Sequence, residues 1–493
     1  MYLKKVLFLS FLFLMTSNIH AQKRVAYLSD FLKSKNGYVD KTVSIIHPEK
    51  NDLSLFLIDG KRVYGYLMDE NLKIKDSLDI EDKARKYKEI IGKSVFFNKD
   101  YTLFLTNKLR NKFATVSFSF ETGDSEFNEL KLDLTNQKFL QTAHYKNALY
   151  IITIGNNSST LYLYKYENNL IPEKKVINLS KKAFKNVKGK QVFLYDLLIG
   201  GQAQFTLNDK INLVKIQEDN PNSLEVTSNF SKMYIRDNKV VFTFDENKEY
   251  TQIVSVNLDT YESTRRAIEK PLKRTLEKKK RNNTFVYGKN IYTISATSRL
   301  VALHAKNYSS GEEYKNHWAL VTDSIYFKNS EIVQTGGMYS NYRELKGPKG
   351  TKKFIRKING GNLAISVYKN DTNYTVTYGG IQEINRGGGM MMMPMGMGVP
   401  VANVGAVSFY VNPTAFAFEG YSTSRAVSIK ALFDESFNHL NGEIPQNVFD
   451  KIKEYRKENR VDTKGETIFK YNGRYVLGFY DSWKRKYELV MFN

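Results

Sequence analysis

Six methionines crowd one short run: Met390, Met391, Met392, Met393, Met395 and Met397 lie between Gly387 and Gly398. Thioethers are soft ligands and adaptable apolar contacts. The flanking glycines make the segment pliant, and Pro394 prevents a regular helix. Three readings are open: a contact that repacks against a partner or membrane surface, a low-complexity tip without a role, or a Cu(I) site. Neither His nor Cys lies nearby, and the methionines form a run, not a spaced ligand set. No metal or other cofactor is therefore expected.

A second concentration of chemistry is cationic. Arg265, Arg266, Lys273, Arg274, Lys278, Lys279, Lys280 and Arg281 fall within Glu262–Asn283, which Pro271 interrupts. It reads either as a solvated loop or as a contact for anionic lipid or another polyanion.

Catalytic constellations are missing. His20, His47, His144, His304, His317 and His439 form neither a His-x-His nor a His-Glu-x-x-His pair. His144 and His304 fall in strand-like runs and read as packed side chains. No nucleophile elbow and no phosphate-binding loop is present. Asp69-Glu70-Asn71 and Asp245-Glu246-Asn247 read as turn chemistry. A glycosidase carboxylate pair can hide among 51 acidic residues, but no two stand out. Gly379-Gly380 and Gly336-Gly337, the latter near Tyr339 and Tyr342, are candidates for a channel mouth.

These residues must be carried by strands. An alternating apolar run, a tight polar turn and a second alternating run recur along the chain. Phe56 to Leu67 is the best copy, turning at Asp59-Gly60. Others turn at Asn98-Lys99, Lys146-Asn147, Asp237-Asn238, Gly288-Lys289, Asn359-Gly360-Gly361 and Asn472-Gly473, with a weak copy around Phe205–Val214. Asn-Gly and Asp-Gly favour the positive φ of tight hairpins. Spacing of roughly 40 to 60 residues is that of propeller blades. The expected fold is all-β: a β-propeller ring of about seven four-stranded blades, six and eight being open, with minor helical insertions. A pair of β-sandwiches is the alternative. The terminal strands Tyr475–Tyr480 and Tyr487–Phe492 suit closure of the ring.

Helices are expected at Asp79–Ile91 and at Leu179–Gly189, both as blade connections. Another is expected within a helical insertion at 434–459, where Val448, Ile452 and Tyr455 share a face and Pro445 suits the first turn. The Gly/Met-rich loop is placed at 386–400.

Residues 1–21 read as a signal peptide, with Lys4 and Lys5 before an apolar core and Ile19-His20-Ala21 as cleavage site; an uncleaved N-terminal anchor is the alternative. That leaves 22–493 as one propeller domain. No later stretch suits a membrane-spanning helix. The chain has no cysteine, which excludes disulfides, thiolate metal sites and thiol catalysis. Tyr 33 and Phe 31 against Trp 2 fit β packing, though some rings suit sugar stacking. A net charge of +23 in an exported chain points to anionic envelope polymers or lipid headgroups more than to nucleic acid. Signal, repeat and lack of cysteine resemble the exported propellers of Gram-negative envelopes; no tryptophan–aspartate or kelch signature is present. The expected role is a non-enzymatic interaction module in the periplasm or at the outer membrane, binding an envelope protein or anionic component, with peripheral membrane contact allowed. A carbohydrate-binding or carbohydrate-active propeller is the alternative, and Cu(I) binding through the Met-rich loop the third.

Overall fold

The computed structural model describes residues 23–492 except 30–38, 60, 82, 200–210, 212, 273–279, 336–342, 347–348, 371, 382–411, 424–425, 462–464 and 482. The expected signal segment and Met-rich loop therefore lie outside the described residues. Alternating β-branched and aromatic residues pair as consecutive antiparallel hairpins. Sheet one contains Lys41–Ile46, Leu53–Asp59, Arg62–Met68 and Ile74–Ile80, in that order. Sheet two runs Glu89–Phe96, Asp100–Thr106, Phe113–Ser119, Asp124–Leu130, and sheet three Gln137–Tyr145, Ala148–Gly155, Thr160–Tyr166, Glu173–Asn178. In sheet four a short strand, Val214–Ile216, lies parallel to Ser231–Arg236, followed by Lys239–Phe244, Tyr250–Asn257 and Ser263–Glu269. Sheet five is Arg281–Tyr287, Asn290–Ala296, Leu300–Asn307 and His317–Leu320. Sheet six is built on Asn362–Asn370, Asn373–Ile381 and Ala426–Phe433. Sheet seven joins both ends of the described chain: Lys23–Ser29 pairs with Lys486–Phe492, beside Arg474–Asp481 and Thr467–Tyr471.

In sheets one to four burial falls off at the last strand. Ala148–Gly155 is buried at every position, whereas Ile74–Ile80 and Glu173–Asn178 are largely exposed. Charged residues on those fourth strands blunt an open edge against pairing with another chain. Successive sheets pack through aromatic contacts: Phe56–Phe118 at 5.1 Å, Phe104–Tyr166 at 5.3 Å and Tyr234–Phe285 at 6.2 Å. First strands are also latched to their neighbours. Thr42 Oγ1 donates to Gly465 O beside sheet seven (2.7 Å), Lys93 Nζ to Ser44 O, and Thr142 Oγ1 to Ile91 O (2.7 Å). Lys215 Nζ donates to Thr142 O (3.1 Å), Lys232 Nζ to Asn283 Oδ1 (2.9 Å) and Arg281 Nη1 to Gly361 O (2.7 Å).

Several expectations are corrected. Asp79–Ile91 is not a helix: Ile74–Ile80 and Glu89–Phe96 are strands joined by a turn, and Tyr87, Ile90 and Ile91 are buried because the link enters the next sheet. Leu179–Gly189 contains the strand Phe184–Lys185 and turns, while the nearby helix is Leu194–Leu198. Asn359 caps the helix Gly350–Ile358 instead of turning a hairpin. In the 434–459 insertion only Val448–Asn459 is α-helical; its N-cap is Asn447, so Pro445 lies outside it. Val448, Phe449, Ile452 and Tyr455 do face inward, against Phe418, Tyr475, Phe479 and Phe492.

Gly379 and Gly380 line no mouth. Both are buried in Asn373–Ile381, where a Cβ on Gly379 would run into the Val427 carbonyl oxygen. Gly379→Ala is expected to lower the unfolding free energy by roughly 1–3 kcal/mol through overpacking. The readout is the urea midpoint at constant slope; an unchanged midpoint would contradict this packing.

Candidate functional site

A cavity of about 680 Å³ gathers an edge strand from each of five sheets. Its wall includes Ser44 of sheet one, Lys93 of sheet two, His144 of sheet three, Lys215 of sheet four and Phe469 of sheet seven. Asn412 and Thr414, at the start of the helix Pro413–Thr423, form another part, tied by Asn412 Nδ2 donating to Thr467 Oγ1 (2.8 Å) and Thr414 Oγ1 donating to Gln217 Oε1 (3.2 Å). The volume is that of a small-molecule site.

Its charges are unevenly balanced. Glu218 pairs with Arg236 (2.7 Å), and its second oxygen accepts the Gly288 amide (3.0 Å). Burial pushes the Glu218 carboxyl above its ordinary value, with Arg236 opposing. Asp219 pairs with Lys470, and Asp237 is exposed in a hairpin turn at the rim. Lys93 and Lys215 have no carboxylate partner among the described residues; each ammonium donates to a backbone carbonyl, Ser44 O and Thr142 O respectively. Burial lowers each lysine to about 8, and Lys93 further disfavours the charge on Lys215. Burial and both ammonium groups push His144 down to about 3, so its ring is neutral.

The cationic run is dispersed. Arg265 and Arg266 lie on the strand Ser263–Glu269, not in a loop. Arg265 donates to Gln252 Oε1 (3.0 Å) and covers the Phe184 ring, while Arg266 donates to Ser309 O (3.0 Å) and covers Tyr308. Lys280 donates to Leu272 O (3.3 Å), and Arg281 reaches Gly361 as described above. Lys273, Arg274, Lys278 and Lys279 lie outside the described residues, as do Met390, Met391, Met392, Met393, Met395, Met397, Gly336, Gly337, Tyr339 and Tyr342.

Asp245, for which the Asp-Glu-Asn sequence predicts a turn role, is a buried charge centre. Lys232 Nζ lies 3.2 Å from one carboxylate oxygen and Lys270 Nζ 3.5 Å from the other, all three side chains being essentially inaccessible. Among the described residues no cluster of His, Asp and Glu is arranged to hold a metal. No helix of the described chain is long and apolar enough to cross a membrane.

The residues that sequence reasoning missed are Lys93 and Lys215. The available signal was a lysine interrupting an apolar strand, as in Ile90-Ile91-Gly92-Lys93-Ser94-Val95-Phe96 and Leu213-Val214-Lys215-Ile216.

No protein-family model matches the chain, and no curated protein matches it by sequence. Similar solved structures include a dihydro-heme d1 dehydrogenase in complex with its ligand (10% identity, 55% of this chain and 45% of that one, TM-score 0.25). Another is one of two prolyl endopeptidases (6% identity, 69% and 55%, TM-score 0.25), and a third the Dos1 propeller (9%, 68% and 69%, TM-score 0.26). The chain spans about half the length of the first two. At TM-scores of this size none of them bears on the site.

Proposed function

We propose that the seven sheets close into one propeller ring and that the protein is an exported, non-catalytic binding module of the bacterial envelope, holding an envelope component in its axial cavity. The observation that carries this reading is a cavity lined by an edge strand from each of five sheets, since strands converge side by side in this way around a propeller axis. The sheet-to-sheet latches, which run from sheet seven beside Thr42 round to Gly361 next to sheet six, support a ring. Export rests on the charged and apolar pattern of residues 1–21. Binding is favoured over glycoside hydrolysis because the wall carboxylates Glu218 and Asp219 are both committed to ion pairs.

The test is crosslinked affinity purification of the tagged full chain from a Gram-negative envelope, beside Ile46→Trp, which fills the cavity from a half-buried wall position. A defined envelope component should be recovered with the parent and lost with Ile46→Trp. Equal recovery from a folded Ile46→Trp protein would place binding elsewhere and overturn the reading.

A further inference from the structure

The wall of the cavity holds two ammonium groups whose counter-charge the described residues do not supply. Lys215 is 9% exposed and Lys93 only partly accessible. One N–H of each is spent on a backbone carbonyl, and the remaining donors have no partner among the described residues. The surrounding groups restrict what can answer them. Arg236 and Lys470 already hold Glu218 and Asp219, and Asp237 stands exposed at the rim. His144, facing both lysines, is neutral. The backbone N–H of Lys93 lies 3.5 Å from His144 Nε2. A cationic ligand would add a third like charge. A neutral one would leave two poorly solvated ammonium groups unpaired, which is costly in a low-dielectric wall.

Resting on the cavity reading, we propose that the bound group is an oxyanion, a carboxylate or a phosphate, that takes hydrogen bonds from both Lys93 and Lys215. An oxyanion offers several acceptor lone pairs, and ammonium-to-oxyanion bonds are charge-assisted and stronger than neutral ones. Ile46, Ile216 and Phe469 supply an apolar wall beside the cations, which suits a ligand with a ring or chain attached to its charge. The two sources of this chemistry are an acidic sugar and a phosphate-bearing envelope group.

The experiment is residue-resolved amine labelling of the full wild-type chain at pH 7, read by mass spectrometry, with exposed Lys61 as internal reference. The probes are trigalacturonate, inorganic phosphate and neutral trigalactose, at matched ionic strength. One charged probe is expected to slow labelling of Lys93 and Lys215 about tenfold relative to Lys61, as charge-assisted bonds imply. Protection by trigalacturonate alone identifies an acidic sugar, and protection by phosphate identifies the phosphate source. Lys93→Gln should abolish that protection at Lys215. Equal protection by trigalactose would sink the oxyanion assignment and keep the cavity. If no probe protects but Ile46→Trp shields the two lysines, the oxyanion assignment fails and the cavity remains. If neither probes nor Ile46→Trp alter labelling, both fail.

Discussion

Asp245→Ala should lower the unfolding free energy by about 3–5 kcal/mol, the scale for removing one partner of a buried ion pair. The loss is large because this single carboxylate serves two lysines and two sheets. Lys232 also donates to Asn283 Oδ1 (2.9 Å), and Lys270 to the carbonyls of Asp245 (2.6 Å) and Asn247 (2.8 Å). Thr251 Oγ1 of sheet four (2.8 Å) and the Thr284 amide of sheet five (3.0 Å) both donate to the carboxylate. Truncation would strand two buried ammonium groups and loosen sheet five from sheet four. Burial alone would raise the Asp245 carboxyl, but Lys232, Lys270 and the threonine hydroxyls outweigh it and hold it at about 2. With the folded value below the ordinary 3.8, the contribution is complete above about pH 4 and is lost as pH falls through 2. Urea unfolding at pH 7 measures the effect. Combining Asp245→Leu with Lys232→Met and Lys270→Met should recover most of the loss, because no unpaired charge is then left inside. A single variant that unfolds at the parental midpoint would show that water reaches the centre.

The strands were legible because alternation has a direct physical cause: one face of each strand meets the neighbouring sheet, so Leu53–Asp59 and Arg62–Met68 announce themselves. Turns were legible where positive φ is demanded, as at Lys146, Asp237, Asn472 and Gly473. The helix Val448–Asn459 was legible from the spacing of Val448, Ile452 and Tyr455. Links between sheets misled. Ala84, Tyr87, Ile90 and Ile91 have helix-like spacing, yet their burial is set by the sheet the link enters. Gly350–Ile358 was missed because Asn359-Gly360-Gly361 can end a helix as readily as turn a hairpin. The site was the least legible part. Along a half-buried strand a lysine at an alternate position normally points to solvent. Only the approach of edge strands from several sheets turns that same face into a cavity wall, and nothing local to Lys93 or Lys215 encodes the approach.

The same two lysines should make the protein less stable than its fold allows. Lys93→Met with Lys215→Met is expected to raise the unfolding free energy at pH 7 while removing oxyanion binding. In the folded chain both lysines sit at about 8, below their ordinary 10.5. Below pH 8 both states are protonated and the full cost of holding the charges is present. Between pH 8 and 10.5 the unfolded chain keeps protons that the folded chain has released, so stability rises with pH across that window. The shift corresponds to roughly 3 kcal/mol per lysine, less where water enters the cavity. Against it stands the lost hydrogen bond to Ser44 O or Thr142 O, about 1 kcal/mol each. The balance favours the methionines by about 1 kcal/mol or more per site at pH 7. Parent and variant should converge as pH approaches 10; above that value buried tyrosines such as Tyr101 and Tyr287, pushed up to about 12, turn the slope downward in both proteins alike. Lys83 and Lys270, also at about 8, contribute equally to both proteins and cancel in the difference. A variant less stable than its parent at pH 7 would mean that these ammonium groups are well solvated, and the cavity would lose its claim to an unmet charge. A more stable variant that no longer binds would place destabilisation and recognition on the same pair of side chains, as expected of a site that folding alone would not select.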